Sequence, residues 1–437
     1  MVGLGCSSFS GFFLDGDDSA IIPAWLTKTT TADIATIDPK HPLIRNWVAT
    51  IHYAIVEAGI TLLDTAPWYG HGLSEQVVGL ALEELFTGKC ASISATFNDT
   101  STTTTTTTTT TPSVSRADII LNTKVGRYDA DPTHQFDFSR TATQQSLQRS
   151  LQRLRTSYID VWQLHDAEFA PTLAVLLDEC LPVMIQAQRD GHVRALGLTG
   201  YPLAVQRQLL QATLERFPDM PRIWDQALTY GHYTLHDQTL LGQPQGLPAP
   251  TDTTKAKEDT TESFADYCAK HNCAYLAAAP LSMGLLTPTA RPPDWHPASP
   301  SLKAACTEAA SLCRSHGVNL AELALLVALA QPRIPTTLVG CKDIVQIQTL
   351  QRVCQRLSSA RVGTNNDSKD DNGALTIFAA MTPAERTVYQ QLCDAQNGPF
   401  AAVWRTGDYH WDGLAQVRDF WKTVPGMIVE EWQATTV

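Results

Sequence analysis

The sequence predicts a closed (β/α)8 barrel of parallel strands, and three observations predict it. Eight short apolar runs follow one another along the chain, a stretch of helical periodicity follows each run, and chemistry-bearing side chains stand at the ends of consecutive runs. The runs are Val2–Ser7, Ile60–Ala66, Asp118–Val125, Ile159–Leu164, Val193–Thr199, Ile223–Leu228, Ala274–Pro280 and Thr337–Gly340. Near-continuous apolar runs suit strands that are covered on both faces, as parallel strands are. An open doubly wound sheet is the alternative that this pattern leaves standing.

The intervening stretches read as helices. Arg45–Ala58 is amphipathic, and in Gln144–Arg155 the residues Leu147, Leu151 and Leu154 share one face, with Thr143 placed to cap the start. Three segments break the rhythm. A threonine-rich insertion spans about 98–115, a Pro-, Thr- and Lys-rich loop about 239–262, and an Asn/Asp-rich linker 361–374. The expected organisation is a barrel over 1–360, the linker, and a C-terminal extension over 375–437. The extension carries Trp404, Trp411, Trp421 and Trp432, too many for a disordered tail, so it is expected to dock on the barrel and join the substrate rim.

Composition narrows the function. The formal charge is −12, and no Lys/Arg cluster offers a nucleic-acid surface. No apolar run reaches the roughly 20 residues of a membrane helix, and Val2-Gly3-Leu4-Gly5 follows Met1 without the basic and apolar regions of a signal peptide, so a cytoplasmic protein is expected. The ten cysteines are scattered without a CxxC pair and read as reduced apolar filler. The start at Met1 leaves no room for a hairpin across the barrel bottom.

The reactive groups of such barrels sit at the C-terminal ends of the strands. Strand two ends at Asp64, strand three at Lys124 and strand four at His165, and Tyr69 follows five residues after Asp64 in the loop above that rim. A phenol titrates near pH ~10. An ammonium beside it favours the phenolate, a carboxylate holds the ammonium charged and aimed, and an imidazole orients the substrate oxygen. Such a set interconverts carbonyl and hydroxyl when a cofactor exchanges hydride.

These residues resemble the signature of the aldo-keto reductases. Asp64-Thr65-Ala66, Tyr69-Gly70 and Ser74-Glu75 match its motif, and the family's Asp, Tyr, Lys and His fall on Asp64, Tyr69, Lys124 and His165. Within the family, Leu164–Phe169, Gly197–Leu203, Ala279–Thr287 and Pro292–Pro300 resemble the branch of L-galactose dehydrogenase and fungal D-arabinose 1-dehydrogenase. That resemblance implies NAD-dependent oxidation of a small aldose, such as D-arabinose, L-galactose or L-fucose, at C1 to its lactone, on the way to ascorbate or an analogue. A monomer in the cytosol is the expectation.

The resemblance also maps the cofactor. It places Thr199 and Gly200 on the nicotinamide amide, where most relatives carry Ser-Asn, and Tyr230 or Tyr233 against the ring. Gln226 is a further candidate for the amide. It places Gly5 and Cys6, the Leu281–Leu286 loop with Ser282 and Gly284, and Gly340-Cys341 along the dinucleotide. Gln346 stands where NADP-preferring relatives carry an Arg, which favours NAD; Lys342 nearby keeps NADP as the alternative. Thr349-Leu350 replaces the Glu-Asn pair of the adenine contacts. Trp68 and Asp166 are the candidates for sugar contact.

Competing readings are weaker. Gly3-Leu4-Gly5 begins a GxGxxG pattern, but Ser8 stands at its third glycine. No HxH pair exists for a metal, and His232 with His236 reads as a pair of loop or surface histidines without an HExxH glutamate. A general NADPH-dependent aldehyde or ketone reductase, and a cofactor-binding regulatory subunit without turnover, remain the alternatives.

Overall fold

The computed structural model describes residues 1–11, 37–88, 114–129, 131, 133–220, 222–242, 262–290, 292, 295–363, 374–394, 396–401, 403 and 413–424. Most of the threonine-rich insertion, of the 239–262 loop and of the 361–374 linker lies outside these residues, as do Trp404, Trp411 and Trp432.

Eight parallel strands close in sequence order, β1 pairing with both β2 and β8. They are β1 Val2–Gly5, β2 Leu62–Asp64, β3 Ile120–Val125, β4 Ile159–His165, β5 Val193–Gly200, β6 Gln226–Tyr230, β7 Ala274–Ala278 and β8 Thr336–Gly340. Closure removes the open-sheet alternative. β6 begins three residues later than the apolar run suggests. Trp224 donates from Nε1 to Thr213 of the preceding helix, and the Asp225 carboxylate accepts from the Leu196 amide while its main chain bonds Leu196 and Ala274, so this stretch ties the strand's start to its neighbours.

Leu62, Leu228, Leu276 and Leu338 form an apolar layer inside the barrel. Gly3 makes room for it: a Cβ there would stand 2.5 Å from the Leu338 side chain and 2.7 Å from that of Leu62. The first glycine of Gly3-Leu4-Gly5 therefore serves barrel packing, which accounts for the partial dinucleotide-loop match.

The barrel helices are α1 Pro42–Val56, α2 Leu73–Phe86, α3 Arg140–Arg153, α4 Leu181–Arg189, α5 Leu203–Arg216, α6 Phe264–Lys270, α7 Pro300–Ser315, α8 Leu320–Ala330 and α9 Ile344–Gly363. α3 starts a turn earlier than expected. Ser139, not Thr143, is its N-cap and accepts from the Ala142 amide; Thr143 is buried in the helix and donates back to the Ser139 carbonyl. No single helix among the described residues is long and apolar enough to cross a membrane; the bent pair α7 and α8 passes by length and composition, and both present buried faces to the barrel.

Three helices follow the barrel: α10 Ala374–Ala380, α11 Pro383–Leu392 and α12 Gly413–Thr423. Val388, Leu392, Phe400, Val403 and Val417 are buried in the main core. Arg356 of α9 binds the Ala380 carbonyl at 2.9 Å and pairs with Glu385. Trp421 of α12 donates to the Phe169 carbonyl at 3.2 Å, beside the end of β4.

Candidate active site

The rim of β2, β3 and β4 brings Asp64, Lys124 and His165 to one place. Lys124 Nζ donates to Asp64 Oδ1 at 2.5 Å and to the Thr65 carbonyl at 2.8 Å, and it lies 4.6 Å from the centre of the Tyr69 ring while hydrogen-bonding its hydroxyl. The rings of Tyr69 and His165 meet edge to face with centroids 6.3 Å apart. The turn that delivers Tyr69 needs Gly70. That residue has φ +62°, and a Cβ there would meet the Ser10 carbonyl at 2.7 Å. Ser74 and Glu75 of the same motif are scaffold. Ser74 donates to the Cys6 carbonyl at 2.8 Å, and fully buried Glu75 accepts from Thr123 at 2.7 Å and from Arg153 at 3.0 Å. Glu75 thus fixes the residue directly before Lys124.

The electrostatics correct one expectation. The Tyr69 phenol lies above its ordinary value, not below it: burial raises it more than Lys124 lowers it, and Asp64 raises it further. The residue is half-buried as a whole, but its hydroxyl is set against the buried Lys124. Lys124 still pulls the phenol down through its charge and its hydrogen bond, but burial outweighs it and the Asp64 charge offsets part of it. Burial pulls the Lys124 ammonium down, but Asp64 and Tyr69 more than reverse this and the net shift is upward. His165 is held well below its ordinary value by burial and by the Lys124 and Arg127 charges, so its imidazole is neutral at pH 7. Its Nδ1 is buried without a hydrogen bond among the described residues.

A charged cluster adjoins this set. Arg127, just beyond β3, is buried, lies 4.0 Å over the Trp68 ring, and donates to Asp166 Oδ2 at 2.7 Å. Asp166 also stands 3.5 Å from His165 Nε2 and adopts φ +51°. Glu168 is buried beside it and accepts from the Tyr201 amide at 3.4 Å. Burial and the neighbouring Asp166 push the Glu168 carboxyl up to about 8. Tyr230, 5.4 Å from the Tyr201 ring, feels the charges of Asp166, Glu168 and Arg127. Trp68, Asp166 and Tyr230 therefore meet at one mouth, whereas Tyr233 does not. Its hydroxyl accepts from Gln331 on the outer layer.

The cofactor candidates divide by what their side chains do. Gly5 and Gly340 face each other across β1 and β8, where an added Cβ at Gly340 meets only the Gly5 carbonyl at 3.8 Å, leaving open backbone at the rim. Cys6, Cys341 and Ser282 are buried, so any contact they make runs through the main chain. The Cys6 thiol turns to the Leu4 carbonyl at 3.6 Å, and the Ser282 hydroxyl is bonded to His236 at 2.7 Å. Backbone in the left-handed region at Ala279, Ser282, Met283 and Gly284 shapes the loop that holds Leu281. His236 and His232 are in a loop as expected but are buried, not at the surface: His232 bonds the Tyr201 carbonyl at 2.6 Å and Thr239 at 2.7 Å. Gln346 accepts from the Lys342 amide at 2.9 Å at the start of α9. Gln226 points to Gln163 in the barrel interior, with 3.0 Å between them. Thr199 and Gly200 end β5 beside His165.

Sequence reasoning missed Arg127, Glu168 and Gln163. Arg127 follows the end of β3 directly, and Gln163 is the one amide in the β4 run, so each carried a positional signal. No group of three or more His, Cys, Asp or Glu suited to a metal occurs among the described residues.

Residues 45–367 match the Aldo/keto reductase family. An Arabidopsis thaliana protein named L-galactose dehydrogenase is 33% identical over 301 residues, covering 69% of this chain and 75% of that protein. A Saccharomyces cerevisiae protein named D-arabinose 1-dehydrogenase is 28% identical over 273 residues, covering 62% of this chain and 66% of that protein. A Pseudomonas protein named D-threo-aldose 1-dehydrogenase is 25% identical over 289 residues, 65% of this chain and 76% of that protein. The fold resembles that of a solved aldo-keto reductase from Bacillus halodurans in its holo form, with a TM-score of 0.50 at 21% identity over 87% of this chain and 92% of that one. With the barrel closed and the Asp64–Lys124–Tyr69–His165 set assembled at its rim, the chain belongs to the aldo/keto reductase family and is an oxidoreductase that acts on CH–OH groups.

Proposed function

We propose that the protein is an NAD-dependent aldose 1-dehydrogenase that oxidises the C1 hydroxyl of D-arabinose, L-galactose or L-fucose to the aldonolactone, as a cytosolic monomer on a route to ascorbate or an analogue. The observation that carries this reading is the rim itself. Tyr69 and His165 stand beside a cluster of Arg127, Asp166 and Glu168 flanked by Trp68 and Tyr230. Paired carboxyls, a guanidinium and aromatic faces suit a polyhydroxylated ring. The names of the Arabidopsis, yeast and Pseudomonas relatives point the same way.

Members of this family use nicotinamide cofactors, and the open backbone at Gly5 and Gly340 and the left-handed loop around Leu281 fit such a group. Thr199, Gly200, Tyr230, the main chain of Leu281–Gly284 and Gly340-Cys341, and Gln346 would hold it. Such a group would supply the hydride acceptor for C1. The chain's own residues handle the proton and the position of the oxygen. Neutral His165 hydrogen-bonds the substrate oxygen without adding charge. Tyr69 exchanges the hydroxyl proton, with Lys124 bonded to its oxygen and Asp64 holding Lys124 in place. Because the resting phenol is protonated, oxidation depends on its losing that proton first, so the oxidative rate rises with pH.

A rate panel of D-arabinose, L-galactose and L-fucose with NAD⁺ and NADP⁺ tests the reading. Turnover of at least one sugar with NAD⁺ preferred is expected. Activity confined to NADPH and aromatic aldehydes, or no turnover at all, would overturn it in favour of a general reductase or a regulatory subunit.

A further inference from the structure

Two amides inside the barrel lie outside the Asp64–Lys124–Tyr69–His165 set. Gln226 Nε2 donates to Gln163 Oε1 at 3.0 Å, and Gln163 Nε2 donates to Asp64 Oδ2 at 2.8 Å. Gln163 is fully buried, and Asp64 and Gln226 nearly so. The register makes the ladder possible. Gln163, Gly197 and Gln226 are aligned on β4, β5 and β6, and Gln163 is aligned with Lys124 on β3. Gly197 has no side chain between the two glutamines; a Cβ there would stand 2.9 Å from Gln163 Cγ.

The hydrogen-bond roles follow from one end. An ionised Asp64 only accepts, so the Gln163 atom facing it is nitrogen, its oxygen faces Gln226, and Gln226 offers a donor. Asp64 is thereby held at both oxygens, Lys124 on Oδ1 and Gln163 on Oδ2. A carboxylate gripped at one oxygen pivots about that contact, whereas one gripped at both does not. We propose that Gln163, oriented by Gln226 across Gly197, is a positioning residue that fixes Asp64 and through it the Lys124 ammonium beneath Tyr69. The proposal rests on the relay reading of Asp64, Lys124 and Tyr69. The titratable groups that act on the Asp64–Lys124 pair held by the ladder are Tyr69, His165, Asp166 and the buried Cys6 thiol.

The test is steady-state aldose oxidation with NAD⁺ across pH 6–10, with thermal melting beside it. Gln163→Leu keeps the volume and removes the donor; kcat is expected to fall at least about tenfold while KM for the sugar stays within about twofold. In Gln163→Glu the new carboxyl donates to Asp64 only while it holds a proton. Its turnover therefore survives at low pH and falls as pH rises, opposite to the wild-type slope. Gly197→Ala, which displaces Gln163 without touching its chemistry, lowers kcat in the same sense as Gln163→Leu. Wild-type kcat and pH profile in Gln163→Leu, or an unchanged upward slope in Gln163→Glu, beside an inactive Tyr69→Phe, would overturn the ladder alone. A Tyr69→Phe variant with full turnover would overturn the relay and the ladder together. If Gln163→Leu does not fold, the nearly isosteric Gln163→Glu decides by the sign of its slope.

Discussion

Replacing Glu168 with Gln isolates the most displaced acid at the mouth. Burial, with Asp166 second, moves the carboxyl from its ordinary 4.5 to about 8, so in the folded protein it keeps its proton across neutral pH. Between those two values the folded state binds a proton that the unfolded state has released. Stability from this group is therefore fully present below about pH 4.5, is lost as pH rises, and is gone above about 8. At about 1.36 kcal/mol per pH unit the ceiling is on the order of 5 kcal/mol, and sharing of the effect with Asp166 lowers it. A chain of this length gains roughly 1 °C of Tm per kcal/mol, from about 2.1 cal/mol/K of unfolding entropy per residue. Gln mimics the protonated acid and cannot ionise. Differential scanning of both proteins from pH 4 to pH 9 should show nearly equal Tm at pH 4 and an advantage of the variant that grows to a few degrees by pH 9. A difference that stays flat within 1 °C would refute the neutral buried acid. Subtracting the two curves cancels the titrating groups that do not interact with Glu168; Asp166, which does, stays in the difference.

The remaining predictions concern the relay and its supports. Tyr69→Phe and Lys124→Met should each lose most of kcat in aldose oxidation while circular dichroism and Tm show an intact fold; near-normal turnover in either removes the relay assignment. The oxidative kcat/KM should climb with pH from 6 towards 10, since the phenol sits above its ordinary value, and a level profile would contradict that direction. Glu75→Leu leaves the Arg153 guanidinium, 11% exposed, without its partner at a cost of about 3–5 kcal/mol, read as a lower melting temperature. Ending the chain before Gly363 removes Val388, Leu392, Phe400, Val403 and Val417 from the core, each worth about 1.5–3 kcal/mol when buried; an unchanged Tm would show that the extension does not stabilise the barrel.

The fold was legible because barrel strands are buried on both faces, so each reads as an apolar run and its last residues are the polar ones that reach the rim. That logic located Asp64, Lys124 and His165 from position alone, and Tyr69 from its distance to Asp64. It failed where a residue's role depends on what lies across the barrel. The shift of Tyr69 came out with the wrong sign because the sequence shows that Lys124 is near but not how deeply the hydroxyl is desolvated, nor that the Asp64 carboxylate opposes the ammonium. The α3 cap was misplaced because the first turn, Arg140–Thr143, has no apolar residue facing inward to extend the periodic face.

Glu168 and Gly200 show the same limit most clearly, and they belong together. On the sequence they are separate features, an acid in the run after His165 and a Thr199-Gly200 pair where most relatives carry Ser-Asn. In the structure a Cβ on residue 200 would stand 2.8 Å from Glu168 Oε2, so an asparagine there and the Glu168 carboxyl compete for one space. The acid is held neutral, and a neutral carboxyl, like an amide, offers both a donor and an acceptor. A glycine on one strand thus admits, from the loop after the neighbouring strand, a group with the hydrogen-bonding pattern of the side chain it lacks. Restoring a side chain at Gly200 should therefore be tolerated only in a protein whose residue 168 is also shortened. Gly200→Ala and Glu168→Ala, made singly and together, measure that coupling as a non-additive change in Tm. Strict additivity would show that the two positions do not share the space.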